Sequence, residues 1–553
     1  MDMTVQQLAD LNVSALESAK EEWARISSSL EGYGDRVDIH MRRTVGNWTG
    51  DAAVKAHSRM ERLRNNFQFG AQECALVRAA IDAFIEEIQG SQRKMQDVLD
   101  VAKRTGFLVT PMGELVDPAG AEPPGGEDPE AARKRDERRE ELQRFIFAVL
   151  GQAVETDAKY GQILSQLMAE RGLKVDGLES QRDANIISKV AAPGLRLDSV
   201  PEKGTDPANV RDWWKGMSEE ERQEQLALHP DLIGNLDGIP ARTRDKANRV
   251  NLDRLIDMYP EPVPDDVEER HEGFKKIRNR LIMDAEEEPE PLLLGIGPEG
   301  QGRAILSYGD PDTADNVAAY VPGLNTQLGD VGGDDGDRAR DVWKSAQKAD
   351  GGGHKTASIV WLGYDAPQAF SDSDAGTDAS VAEEERGRRG GRDFGRFLDG
   401  IQATHQGERP HVTAIGHSYG SFTLGQAAQR EGGIPADDII LVGSPGTGAQ
   451  RAEDLGVSPD HVWAGAADSD AVTHAPSDAE KIFGIWGHMT DPHELHFGQD
   501  PASEDFGGRR FAVNPGWNPS SHSDYFDRNS ESLRNMGKIV SGRPGEVTTE
   551  ERR

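Results

Sequence analysis

Apolar positions recur every three to four residues through the first hundred positions. Leu8, Leu11 and Ala15 share that spacing, as do Val77, Ile81, Phe84 and Ile88, so residues 1–107 are predicted as two helical runs. The segment VGNWTGDAA separates them, and its glycine permits a tight turn. Residues 108–130 are rich in Pro, Gly and acidic side chains and read as a linker. Residues 131–289 return to a helical pattern. FIFAVLGQAVETDAKYGQILSQLM carries one apolar face, and Ser218 with Glu221 three residues on forms a capping box that opens a further helix. This segment is a candidate cap over a pocket.

The pattern changes after residue 290. Short apolar runs at 304–307, 316–321, 357–361, 411–415, 438–442 and 461–464 alternate with helical stretches. Most are followed by Gly, Ser, Pro or Asp. Alternating β and α elements imply a mainly parallel sheet with helices on both faces. The expected architecture is therefore an α/β domain over 290–545 behind an all-helical N-terminal region. Ligands on such sheets sit at the C-terminal ends of the strands. Residues 371–392, acidic and rich in Gly and Arg, are expected to form a mobile insertion. The acidic run at 332–337 lacks the ligand spacing of a calcium loop and reads as a solvated turn.

Composition narrows the function classes. A chain of 553 residues exceeds one hydrophobic core. Its net charge of −34 argues against a nucleic-acid partner, which needs clustered Lys and Arg. The single Cys74 excludes an intrachain disulfide and a multi-thiolate zinc site. The N-terminus has no signal-peptide core, and no run approaches the about 18 apolar residues of a membrane span. The expectation is a chain without an integral membrane segment, cytoplasmic or secreted by a signal-peptide-independent route.

The candidate chemistry lies after the run at 411–415. Gly416-His417-Ser418-Tyr419-Gly420 is a G-x-S-x-G sequence between a strand and a helical pattern. A nucleophile there needs a sharp turn, and small neighbours let strand and helix approach. Ser418 is the candidate nucleophile, with Gly416, His417 and Gly420 forming its elbow. A serine hydroxyl also needs a base and an acid to orient that base, here in the order Ser, acid, His. Asp468 and Asp470 both follow the run at 461–464. Asp470, which begins a D-x-V pattern with Ala471 and Val472, is preferred, with Asp468 as the alternative. Candidate bases are His474, His488, His493, His496 and His522. His522, in a Ser/Pro-rich loop before the last helix, is preferred. His493 and His496 lack the H-E-x-x-H spacing that would place two imidazoles on one helix face, so no metal is expected, and no cofactor is required. An oxyanion hole needs two backbone N–H groups. Tyr419 is one candidate donor, and Leu324 in YVPGLNT, where Gly323 allows close approach, is the other.

Taken together, HPDLIGNLDGIPARTRDKANR, YVPGLNT, ASIVWLGYDAPQ, GHSYGS, LVGSPGTGA and SHSDYF resemble an actinobacterial α/β-hydrolase family once catalogued as a domain of unknown function. The resemblance covers about residues 205–542. It implies an α/β-hydrolase fold, a serine nucleophile at Ser418, an acid at Asp468 or Asp470, His522 as base, and a helical segment before the core. Trp48-Thr49-Gly50 between two helices resembles the WXG family of hairpins, which pair with partners and often associate with type VII secretion. The Y-x-x-x-D/E signal that usually follows is not evident.

These readings lead to a serine hydrolase for a carboxylic ester, with thioester or amide as further options. Its substrate is expected to be a small or lipid-like ester. The alternative is an interaction protein or secreted effector whose hairpin, residues 1–107, binds a helical partner.

Overall fold

In the computed structural model, the helical spacing near the N-terminus belongs to three long helices, Ser14–Val45, Asp51–Arg104 and Pro129–Leu167. The structure describes residues 3–45, 51–118, 129–167, 182–187, 199–259, 262–284, 289–368, 377–473, 494–495, 497–514 and 522–553. Trp48, Thr49 and Gly50 lie outside the described residues, as do His474, His488, His493 and His496. The chain divides into two units. Met1–Met41, Gly50–Ser199 and Gln223–Leu228 form one, and Arg42–Thr49, Val200–Arg222 and His229–Arg553 form the other. The expected helical region 131–289 is thus shared between them.

In the first unit Val77, Ile81 and Ile88 are buried, packed in clusters with residues such as Tyr160, Ile163 and Ile146. Leu8, Leu11 and Ala15 do not form one run. A short helix, Val5–Ala9, is capped by a Thr4–Gln7 box, and Ser14 N–H then donates to Asn12 Oδ1 at 2.9 Å. The break leaves Leu8 buried and Leu11 exposed. The expected linker begins with a small antiparallel ladder, β1 (Leu108–Val109) against β2 (Leu115–Val116). A turn at Thr110–Glu114 closes it.

Among the described residues of the second unit, β10 (Glu494–Leu495) and β11 (Gly498–Gln499) pair as a small antiparallel ladder, and eight other strands form one sheet. They are β3 (Pro291–Gly297), β4 (Arg303–Tyr308), β5 (Asn316–Val321), β6 (Thr356–Leu362), β7 (His411–His417), β8 (Asp438–Val442), β9 (Val462–Gly465) and β12 (Arg509–Arg510). Their order is β12-β9-β8-β7-β5-β6-β4-β3. β4 is antiparallel to both β3 and β6, and the remaining pairs are parallel. The predicted strands are present with small changes of boundary. His461 ends a 3-10 turn and β9 starts one residue later. β3 and β12 were not predicted. β5, β6 and β8 are buried along their whole length, as expected for parallel strands covered on both faces.

The helices Ala241–Asp257 and Asp265–Met283 contribute Leu252, Leu255, Phe274 and Ile277 to the same core as β3–β9. That packing makes them a layer of the sheet. The Ser218 capping box is present in both directions, at 2.7 and 3.2 Å.

Two loop expectations are corrected. From Thr377 the supposed insertion is a 28-residue helix running to Thr404. Its glycines serve close packing: a Cβ on Gly387 would lie 2.5 Å from Phe422, and one on Gly391 2.8 Å from Ala427 N. The acidic run at 332–337 opens the helix Asp334–Asp350, where Asp334, Asp335 and Asp337 complement the positive helix end.

Candidate active site

The strand register brings four strand ends together. Val321 pairs with Gly416, His417 with Val442, and Val442 with Gly465. The turns leaving β5, β7, β8 and β9 therefore emerge side by side at the carboxyl edge of the sheet, the usual ligand edge of such folds.

Ser418 follows β7 directly and is the N-cap of the helix Tyr419–Ala428, with φ 53° and ψ −131°. An L-residue rarely holds this conformation, and such strain persists only where the surroundings over-determine it. Here they do. Ser418 N–H donates to Val442 O at 3.0 Å, and Ser421 N–H to Ser418 O at 2.9 Å. A Cβ on Gly416 would lie 2.7 Å from Ser421 Cα, and one on Gly420 2.1 Å from Val321 O. Both positions flanking the turn thus accept only glycine without a shift.

Asp470 lies beyond β9 and is 1% exposed. His522 Nδ1 is 3.0 Å from each of its carboxylate oxygens. A carboxylate only accepts, so Nδ1 carries a proton, and in the neutral ring the lone pair is on Nε2. Tyr525 Oη donates to Asp470 Oδ2 at 2.7 Å, and Val472 N–H donates to Oδ1 at 3.0 Å. Burial alone would raise the Asp470 pKa. The hydrogen bond and charge of His522, with the Tyr525 hydroxyl, outweigh it and hold the carboxyl below its ordinary value. Asp468, two residues earlier, is 79% exposed and faces Arg510 at 3.3 Å. Of the two candidate acids, Asp470 is the one beside His522.

His417 is buried beside this pair, its ring centroid 4.9 Å from that of His522. Its Nε2 donates to the His522 carbonyl at 2.8 Å. Burial, followed by the neighbouring His522 and Arg338 charges, lowers it well below the ordinary imidazole value. It therefore stays neutral and ties the elbow to the His522 backbone. Gly443, after β8, has φ +56°, and a Cβ there would lie 3.0 Å from the His522 ring.

The β5 turn runs past the serine. A Cβ on Gly323 would lie 2.7 Å from Ser418 Cβ and 3.2 Å from its Oγ. The next residue, Leu324, is partly buried against the core. Tyr419 opens the helix after the elbow, and N–H groups of a first helical turn point out of that end. Its side chain is buried among Tyr364, Phe422 and Phe497.

Sequence reasoning missed Tyr525 and Tyr364. Tyr525 could have been noticed as the residue three positions after His522, on the same turn. Among the described residues, no group of three His, Cys, Asp or Glu could hold a metal, and no helix is long and apolar enough to cross a membrane.

An eight-stranded, mainly parallel sheet with this turn at its carboxyl edge defines the α/β hydrolases as a class. The chain belongs to that family: a family model described as an alpha/beta hydrolase matches residues 297–479. That match includes Ser418 and Asp470 and stops short of His522. An uncharacterized protein of Mycobacterium tuberculosis strain H37Rv is 32% identical over 442 residues, 71% of this chain and 64% of that protein. The match thus spans less than two thirds of that relative's length. An uncharacterized protein of Mycobacterium bovis is 31% identical over 229 residues, 40% of this chain and 75% of that protein.

Proposed function

We propose that the chain is a serine hydrolase that cleaves a carboxylic ester through an acyl-enzyme on Ser418. The observation that carries this reading is the His522–Asp470 pair, with His522 packed on His417, the residue before a serine of strained backbone at the carboxyl edge of the sheet. His522 Nε2 accepts the Ser418 proton as Oγ bonds to the substrate carbonyl carbon. Asp470, kept ionised by its hydrogen bonds, fixes the imidazole tautomer and balances the imidazolium that forms. The Tyr419 and Leu324 amides stabilise the oxyanion. Collapse expels the alcohol, which takes the proton from His522. Water, deprotonated by the same imidazole, then releases the acid. Each step moves one proton and needs no oxidant or reductant.

A fluorophosphonate probe tests the reading. The wild-type chain should be labelled and should hydrolyse p-nitrophenyl butyrate, and Ser418→Ala should lose both. Labelling that survives the substitution would remove Ser418 from the mechanism. The uncharacterized relatives offer no acyl or alcohol group, so the ester class rests on the site alone.

A further inference from the structure

We propose that the segment 364–368, leaving β6, is the template that holds the oxyanion loop 322–326 in place, with Tyr364 as its main positioning residue. This deepens the proposed function and rests on it. Three hydrogen bonds join the two segments. Tyr364 Oη donates to Pro322 O at 2.7 Å, Asn325 N–H to Pro367 O at 2.8 Å, and Gln368 Nε2 to Thr326 O at 3.3 Å. The pinned groups bracket the Gly323–Leu324 peptide, which runs beside Ser418. A peptide fixed through the carbonyl before it and the amide after it cannot rotate freely, so the direction of the Leu324 N–H is set.

The template is itself rigid. Arg303 on β4 grips Asp365 through both carboxylate oxygens, at 2.6 and 2.7 Å, a bidentate pairing of high directional specificity. The Tyr364 ring lies nearly parallel to those of both Trp361 and Tyr419, at 8° and 7°. Gly390 leaves no room behind it, since a Cβ there would sit 2.9 Å from Tyr364 Cβ. One side chain therefore touches both sources of the oxyanion donors: it holds the loop before Leu324 by its hydroxyl and packs on Tyr419 by its ring. Oxyanion stabilisation depends on donors being placed before charge develops. A residue that only sets their direction acts on the transition state and leaves ground-state binding alone.

Tyr364→Phe in the full chain tests this, because it keeps the ring and removes the hydroxyl. With p-nitrophenyl butyrate, kcat should fall about tenfold, less than for deleting a donor outright, while KM stays within about twofold. The Ki of a trifluoromethyl ketone, whose hemiketal oxygen mimics the oxyanion, should rise by the same factor as kcat falls. An unchanged kcat, or a loss carried by KM, would overturn the proposal. Should Tyr364→Phe fail to fold, Gln368→Ala removes a bond from a half-buried side chain. It should show the same kcat and Ki signature at about threefold, and wild-type values there would equally overturn it. An active Ser418→Ala would instead sink the underlying serine mechanism, so the two failures are distinguishable.

Discussion

His522 and Asp470 face each other squarely, with Nδ1 3.0 Å from both oxygens of a carboxylate that is 1% exposed. Such a carboxylate orients the imidazole and stabilises its cation, and an amide in its place favours the wrong tautomer. Asp470→Asn should therefore lower kcat on p-nitrophenyl butyrate by about 10³–10⁴. Asp468→Asn, which weakens the ion pairs of an exposed carboxylate with Arg510 and Arg553, should change kcat by less than about twofold. Equal losses in the two variants would contradict the assignment.

Tyr525 shares Asp470 with His522. Its hydroxyl donates to Oδ2 and also accepts from Ala467 N–H at 3.0 Å. Removing the donor in Tyr525→Phe leaves the Asp470 charge less dispersed and its hold on an imidazolium stronger. The acid limb of the kcat/KM profile should then move to higher pH, by about half to one unit for a lost hydrogen bond of ordinary strength. A profile shifted to lower pH would contradict this role.

Gly443 lies beside the His522 ring. Gly443→Ala places a side chain at φ +56°, which costs about 1–2 kcal/mol for an L-residue. Its Cβ also comes within 3.0 Å of the His522 ring. Both a lower midpoint in urea unfolding and a kcat reduced by more than about tenfold are expected. Wild-type turnover would mean that the ring tolerates the methyl group.

At the opposite edge of the sheet, His411 Nε2 lies 2.8 Å from Asp438 Oδ2 and Nδ1 3.2 Å from Val540 O. Both partners only accept, which favours the ring with two protons. Asp438 also accepts from His461 at 2.9 Å and from Trp463 at 2.8 Å. Asp437, paired with Arg409, adds charge near His411. Burial opposes the imidazolium, yet the Asp438 hydrogen bond and charge raise the His411 pKa overall. A raised folded-state value contributes stability that is complete below the unfolded pKa of about 6.5 and is lost as pH rises through the folded value. His411→Gln should therefore destabilise by about 1.5 kcal/mol near pH 5.5, with the difference from wild type shrinking above neutrality. Urea unfolding across pH 5–9 reads it, and a penalty that grows with pH would refute it.

Much of the α/β domain was legible because local patterns carry it. Six of the strands are apolar runs bounded by turn residues. β12 was missed because Arg509–Arg510 has no apolar signal and pairs with β9 over two residues only. β3 was missed although PLLLGIG is apolar throughout, since it starts directly at the boundary drawn between the helical region 131–289 and the sheet. The helix from Thr377 was misjudged because glycines argue for loops, whereas here they admit Phe422 and Ala427 at close range.

By itself, the sequence determined the β–α alternation, the strained turn at Ser418 and the shortlist of acids and bases, because spacing and turn chemistry are local properties. Choosing Asp470 over Asp468 was a tertiary matter. Two residues apart on one loop, they differ in which is buried beside His522, a residue 52 positions further along the chain from Asp470. The tyrosines at 364 and 525 likewise gain their partners only when distant strand ends align. A hydrogen bond between segments depends on register and packing, and neither is written in the spacing of any single stretch.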